Sequence, residues 1–467
     1  MVSILEQIDG ILYYPVLIIV MAAAGLYFSF RTKFVQLRLF GDSCRLMTEK
    51  AEGQKVSSFQ AMMVSTASRV GTGNIIGVST AICIGGPGAL FWMWIMCIIG
   101  ASSAFVESTL AQIYKQKTED DRYYGGPAYY IEHALHSPQI AGIFCVFLVL
   151  TYAFGFNLLC SYNLQSTFAF YSFYNSGSTP VIIGVILALL FGYCLLGGGK
   201  RIIKITSTIV PFMGIAYVLL SLIVILVNFT HIPAMFFLIL KDAFRFKAIF
   251  SGVASSCLVL GIKRGLYSNE AGVGSAPNAS ASAHVSHPVK QGLVQTLSVY
   301  VDTLLLCTAT GLLCLSTGVP YNSDVSGAPY VQNAVSTVFG PIGPNFITIA
   351  MILFAFTTLI GNLYYVDNAL IFLNGKKLPS RSFMKGFHIV CTVVVFVGCL
   401  IPMDAAWALA DITMGLMTLI NLPACTVLSR TAILALKDYE KKRQEGKDPV
   451  FHAADIGLDP ETLSCWK

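Results

Sequence analysis

Apolar runs of about twenty residues recur along nearly the whole chain, and no other feature restricts its fold so tightly. At ~1.5 Å rise per residue, such a run crosses the hydrocarbon core of a bilayer as a helix. Eleven candidate spans follow, at about 11–30, 59–84, 88–114, 140–172, 180–197, 203–228, 247–265, 289–317, 342–372, 384–402 and 405–432. Their length and the lack of period-2 alternation select helices over a closed barrel, the other structure that can span a membrane. Only 12% of residues are charged, with mean hydropathy +0.70, against about 25% charged in soluble domains. The expected fold class is an all-α integral membrane protein of about 11 transmembrane helices, with no soluble domain in sight.

The basic residues orient these spans. Loops and tail on one side hold 26 of the 30 Lys and Arg, with Lys263 and Arg264 counted among them at the end of the seventh span. The other side holds Lys241, Arg245 and Lys247, and Arg69 alone is left inside a span. The positive-inside bias then puts the N-terminus outside and the C-terminus in the cytoplasm of a multi-pass cell-membrane protein. The net charge of +6 is thereby explained without a nucleic-acid partner. The start, "MVSILEQIDG", lacks the basic region and cleavage site of a signal peptide, so the first span is expected to be retained. The thirteen cysteines lie mostly in apolar runs and read as small buried hydrophobes rather than a disulfide or metal framework.

The second span is unlike the rest. "FQAMMVSTASRVGTGNIIGVSTAICI" carries Ser68, Arg69, Gly71, Thr72, Gly73 and Asn74 at its centre. Each glycine disfavours a helix interior by roughly 1 kcal/mol relative to alanine, and two within three residues invite unwinding. An unwound turn at membrane depth survives only where it lines a cavity or holds a ligand. Its downstream half-helix aims N-terminal amides at the break, which suits a carboxylate. The carbonyls ending the upstream half, around Ala67 to Val70, suit a small cation. The alternative is close helix packing through Gly73 and Gly77, but packing needs neither Arg69 nor Asn74. A charge at this depth is normally paired, and Glu107 and Asp302 are both candidate partners.

Four blocks resemble one family. They are "GGPGALFWMW", "GIKRGLYSNEAGVGSAPNASASA" (261–283), "QGLVQTLSVYVDTLLLC" and "WALADITMGLMTLINLPA", in order over nearly the whole chain. The sequence is similar to the alanine or glycine:cation symporters. The resemblance implies a leucine-transporter-type fold with two inverted five-helix repeats and an extra N-terminal span. The units would be 1–55 (first span and cytoplasmic loop), 56–228 and 229–435 (the repeats), and 436–467 (a cytoplasmic tail). The implied activity is sodium-coupled import of small neutral amino acids such as alanine and glycine. Glutamine or another neutral amino acid, and proton coupling, stand as alternatives. Sodium would be a co-substrate, with no organic cofactor and no obligate protein partner.

Carried over residue by residue, the substrate carboxylate would meet the backbone of Gly71, Thr72 and Gly73, with Asn74 nearby. Carbonyls of Ala67 and Val70 would join the Thr357 and Thr358 hydroxyls around sodium, a hard cation that prefers neutral oxygens. Ordinary hydroxyl back-bonding is the alternative role for the two threonines. For the second repeat's break the geometry favours Ser251 to Ser256, with Ser255 as substrate ligand. The string "SNEAGVGSAP" reads as the cytoplasmic end of that span, from which Asn269 and Glu270 approach the site only if the span is tilted or re-entrant. Phe154 and Phe156 are candidate pocket walls. Arg69, Glu107, Asp302 and Glu270 are the gating or coupling candidates. Asp411 and Asp367 read as caps or gate partners, and His284 and His287 as solvated loop residues. "FWMW" reads as an interfacial anchor after a tight turn. An intramembrane enzyme is disfavoured, since no histidine–carboxylate cluster stands at helical spacing within a span.

Overall fold

A computed structural model describes residues 2–49, 55–117, 123–195, 198–245 and 256–466. Among the described residues, eight helices are long and apolar enough to cross a membrane: Gln7–Arg31, Gly88–Ile113, Pro138–Phe170, Arg201–Val227, Pro288–Ser316, Ile342–Leu373, Arg381–Gly398 and Asp404–Gln444. The other expected spans take other forms. Thr179–Leu195 is an apolar helix one residue short of that length. The second span is divided into Ser58–Arg69 and Gly73–Gly85, and the seventh appears as the helix Cys257–Asn269.

Local chemistry sets several boundaries. Ser58–Arg69 begins in a capping box: Ser57 Oγ accepts from Gln60 N (3.1 Å), and Gln60 Oε1 accepts from Ser57 N (3.0 Å). Gly86, with φ of +95°, makes the turn into Gly88–Ile113, and Asp242 Oδ2 accepts from Gly88 N at 2.9 Å. Trp92 and Trp94 then donate to Ala243 O (3.2 Å) and Thr308 Oγ1 (2.8 Å), which docks "FWMW" onto neighbouring helices.

Gly88–Ile113 lies at the centre, packed on Pro288–Tyr300, Cys257–Asn269 and Ile18–Arg31. Ser58–Arg69 packs on Gly198–Val227 and Ile342–Leu373. Arg381–Gly398 and Thr179–Leu195 pair at the periphery, and Leu189 and Phe212 stand 69% and 72% exposed, as lipid-facing side chains do. One end of the bundle gathers the basic loops and the tail. There Lys290 meets Glu49 (2.6 Å) and Asp448 (2.9 Å), and Lys376 meets Glu132 (2.6 Å).

Two sequence expectations fail here. Lys263 and Arg264 are not loop residues: both are buried within Cys257–Asn269. Lys263 is ion-paired with Asp9, and Arg264 Nη1 lies 3.3 Å from Asp411 Oδ2 with its guanidinium 3.4 Å from the Trp407 ring centroid. Neutralised in this way, the two charges sit inside the bundle. Nor is His287 solvated. Its Nε2 lies 3.2 Å from Asp438 among Tyr439 and Phe451, and burial pushes its imidazole below the usual range despite that carboxylate.

Candidate functional site

The two interrupted helices meet inside the bundle. At Val70 the first leaves helical geometry (φ −77°, ψ 85°), and a wide π-helical turn, Gly73–Gly77, starts the second half. Side chains that close on this break explain its glycines. A Cβ on Gly71 would run into Thr358 Oγ1, and one on Gly73 would lie 2.7 Å from Tyr267 Cε1. Asn74 bridges the gap: its Oδ1 accepts from Gly71 N at 2.9 Å, and its Nδ2 donates to Asp302 Oδ1 at 2.7 Å. Thr72 Oγ1 accepts from Asn163 Nδ2 at 3.0 Å.

Among the described residues the second interruption falls at Glu270–Ser275. Ser251 to Ser255, including Ser255 as a substrate ligand, lie outside the described residues. Ser256 caps Cys257–Asn269, accepting from Val259 N at 3.4 Å. That helix ends where Glu270 turns left-handed (φ 53°). Gly272 and Gly274 follow at φ of +86° and +90°, and the short helix Ala276–Ser280 comes next. The string expected at the membrane surface is therefore the break itself.

Asp302, fully buried, joins the two interruptions. Besides Asn74 it accepts from Ser268 Oγ (2.8 Å) and Thr303 Oγ1 (2.9 Å). Asn269 Nδ2 donates to that same Thr303 hydroxyl at 3.2 Å, so Asn269 is part of the cluster. Of the two phenylalanines, Phe156 reaches the break. Its ring lies 4.7 Å from that of Tyr267, whereas Phe154, two residues earlier, is half-buried.

The expected sodium ligands divide. Thr358 Oγ1 donates to Ala67 O at 3.1 Å, beside the Val70 kink. Thr357 Oγ1 instead bonds back to Leu353 O (2.9 Å) and Phe354 O (3.1 Å), with Met213 Sδ at 3.6 Å. Neighbouring helical residues point about 100° apart, so Thr357 faces Gly198–Val227 and is not directed at Ala67.

Arg69 has no carboxylate within ion-pair distance among the described residues, contrary to the pairing expected with Glu107 or Asp302. Its Nη1 donates to Gln295 Oε1 at 3.2 Å, and its Nε and Nη2 have no partner. The carboxylates are engaged elsewhere. Glu107 accepts from Gly272 N (3.3 Å) and Asn421 Nδ2 (2.8 Å), and Glu270 contacts Ser68 Oγ (2.9 Å) and Ser275 Oγ (2.6 Å).

Away from the basic end, the first break is covered by a series of packed groups: Tyr267 over Gly73, Trp407 edge-to-face with Tyr267, centroids 4.9 Å apart, and Arg264 over the Trp407 ring. Sequence reasoning missed Tyr267, Trp407, Ser268, Asn163 and Asn421. For all but Asn163, which lies outside the recognised blocks, the signal was membership of those blocks, since aromatic and amide side chains inside apolar runs look like packing.

Interrupted helices meeting at buried carboxylates, within a bundle of membrane-length helices, define a multi-pass transporter of the leucine-transporter type. The fold is similar to that of MhsT solved in complex with L-phenylalanine, with a TM-score of 0.60 at 14% identity over 83% of this chain and 93% of that one. Residues 1–453 match the sodium:alanine symporter family, and the chain belongs to it. It is 41% identical to the probable sodium/glutamine symporter GlnT of Bacillus subtilis (strain 168), covering 100% of this chain and 97% of GlnT. It is 40% identical to the putative sodium/proton-dependent alanine carrier protein YrbD of the same strain, covering 98% and 96%.

Proposed function

We propose that this protein is a sodium-coupled symporter that imports small neutral amino acids, alanine and glycine first, by alternating access. The observation that carries the reading is the first break. Unwound backbone at Gly71–Gly73 lies beside the Asn74–Asp302 pair, with the Ala67 carbonyl and Thr358 hydroxyl one turn away. The amide end of Gly73–Gly85 suits the substrate carboxylate. Ala67, Val70 and Thr358 supply neutral oxygens for sodium, and Asp302 places negative charge between the ion and the amino group. In the present conformation Asn74 occupies the Gly71 amide, so substrate entry displaces that contact. Tyr267 and Phe156 limit the length of side chain the site admits.

The repeats are taken as 56–228 and 229–435, each led by an interrupted helix, with 1–55 as the extra span and 436–467 as the tail. The basic end is read as cytoplasmic, which puts the Arg264–Trp407–Tyr267 cluster on the outer side as a gate. The chain is read as a carrier with no catalytic group. A second reading, glutamine as cargo, is favoured by the similarity to GlnT.

The test is uptake of labelled L-alanine, glycine and L-glutamine into proteoliposomes under an inward sodium gradient. Alanine and glycine accumulation that collapses when sodium is replaced by potassium is expected. Accumulation of glutamine alone would transfer the assignment, and uptake of none would overturn it.

A further inference from the structure

The core has a charge imbalance. Lys263 and Arg264 are neutralised by Asp9 and Asp411. That leaves Asp302, Glu107 and Glu270, all buried, facing one guanidinium, Arg69. Three carboxylates against one cation leave two negative charges where net charge is costly. One sodium ion removes one of them.

The hydrogen bonds single out the carboxyl that can absorb the other as a proton. Asp302 and Glu107 are held by N–H donors, from Asn74 and from Gly272 and Asn421, which have nothing to accept with. The hydroxyls on Asp302 are committed as well. Ser268 accepts from Asn74 and Thr303 from Asn269, so each turns its own proton to the carboxylate. Glu270 differs, because among the described residues hydroxyls alone hydrogen-bond its side chain: Ser68 on Oε1 and Ser275 on Oε2. Ser68 has one proton and also contacts Asn362 Oδ1 at 2.7 Å. With that proton given to Asn362, a hydrogen on Glu270 Oε1 completes the 2.9 Å contact with Ser68.

We propose that Glu270 is a proton-binding site that couples the two helix breaks. Its carboxyl is neutral while Ser68, at the end of the first break's inner helix, and Ser275, at the end of the second break, are held together. The carboxylate takes up one proton to form one O–H bond, its charge going from minus one to zero, and one sodium then balances the core. Release is linked to separation of the breaks, because parting Ser68 from Ser275 removes Glu270's partners. The charged and titratable groups facing it are Arg69 and Asp302, together with the phenols of Tyr152 and Tyr365, while Glu107 holds the Gly272 amide two residues on. The inference rests on the symport reading above, and it deepens it by naming a second coupled ion.

Two measurements test it on the full chain. Infrared spectra of the purified protein with sodium and L-alanine should show the carbonyl band of a protonated carboxyl. Glu270→Gln should remove the band and Glu107→Gln should leave it. In proteoliposomes, sodium-driven L-alanine uptake should fall by about tenfold per pH unit above the titration of Glu270. The rate left in Glu270→Gln, whatever its size, should be flat with pH, and Glu270→Asp should shift the profile. A band that survives Glu270→Gln overturns the proposal, as does a wild-type pH profile in that variant. If Glu270→Gln fails to fold, an unshifted band and profile in Glu270→Asp overturn it instead. Absence of sodium-driven uptake of any tested amino acid by the wild type defeats the symport reading, while the spectrum still decides Glu270.

Discussion

The two helix breaks do the same job with different chemistry. At the first, glycine is required by proximity. Gly71 and Gly73 have no positive φ, but Thr358 and Tyr267 press where their Cβ atoms would be. At the second, glycine is required by the backbone itself, with Gly272 and Gly274 at positive φ after a left-handed Glu270. The first break is closed by one adjacent side chain, Asn74, which reaches back three residues to Gly71 N. The second also has a local cap, Asn269 Oδ1 accepting from Ala271 N at 3.0 Å, but is held in addition from a distance, through Glu107 and Asn421 on Gly272 and Ser68 on Glu270. A break stabilised locally can open as the substrate replaces its cap. A break stabilised by neighbouring helices opens only when those helices move, so it senses the conformation of the whole bundle.

The contrast can be broken by paired alanine substitutions, which carry the largest effects. Gly274→Ala meets both the φ penalty and Pro127 Cγ at 2.8 Å, with Asn421 and Phe144 at 2.9 Å. A cost of about 2–5 kcal/mol follows from strain plus overpacking, seen as a lowered Tm or failure to accumulate in the membrane. Gly71→Ala meets chiefly the Thr358 hydroxyl, the end of a small side chain. It should fold, at a cost of about 1–3 kcal/mol, yet lose most sodium-driven uptake. Gly214→Ala, with nothing near its Cβ, controls for helix propensity. Equal loss of stability in Gly71→Ala and Gly274→Ala would remove the distinction.

The same contrast explains what could be read in the sequence. The first break was legible because its cause is local: glycines, a threonine and an asparagine contiguous within an apolar run. The spans were legible because hydropathy is additive along a chain. The second break was not, since Lys263 and Arg264 carry formal charges that mark a loop when read alone. Their partners, Asp9 and Asp411, lie 254 and 147 positions away. Arg69 failed in the opposite sense. A buried charge suggested an ion pair, but the carboxylates near it are engaged by amides and hydroxyls, and Gln295 is its hydrogen-bonded partner. Pairing is a property of the fold, and no spacing rule supplies it.

A smaller effect sharpens the ion site beside the first break. Thr358→Ala removes a hydroxyl 3.1 Å from the Ala67 carbonyl, and Thr357→Ala removes one bonded to its own helix. Losing one oxygen ligand should raise the sodium concentration for half-maximal uptake by about tenfold, the worth of a hydrogen bond to a charged group. Thr357→Ala should change it by less than about twofold, since back-bonding contributes little to helix stability. The reverse order would return Thr357 to the site.

The smallest effect is expected at the tail, where the inner halves of the broken helices differ most. The first half, Ser58–Arg69, has 12 residues and its own capping box. The second, Ala276–Ser280, has 5, too few to hold without support. That support comes from outside: Gln112 Nε2 donates to Ala283 O at 3.0 Å and also to Ser280 O, and Lys115 Nζ donates to Ala283 O at 3.0 Å. Trp466 completes the brace, its Nε1 donating to Gln112 O at 2.7 Å and its ring 4.9 Å from Lys115 Nζ. Trp466→Ala should therefore speed amide hydrogen exchange over 276–283 by roughly fivefold to thirtyfold, equivalent to about 1–2 kcal/mol of local stability. Exchange over 58–69 should stay unchanged, because the capping box needs nothing from the tail. Equal acceleration in both segments would mean that the tail stabilises the bundle as a whole, and the second break would lose its claim to separate support.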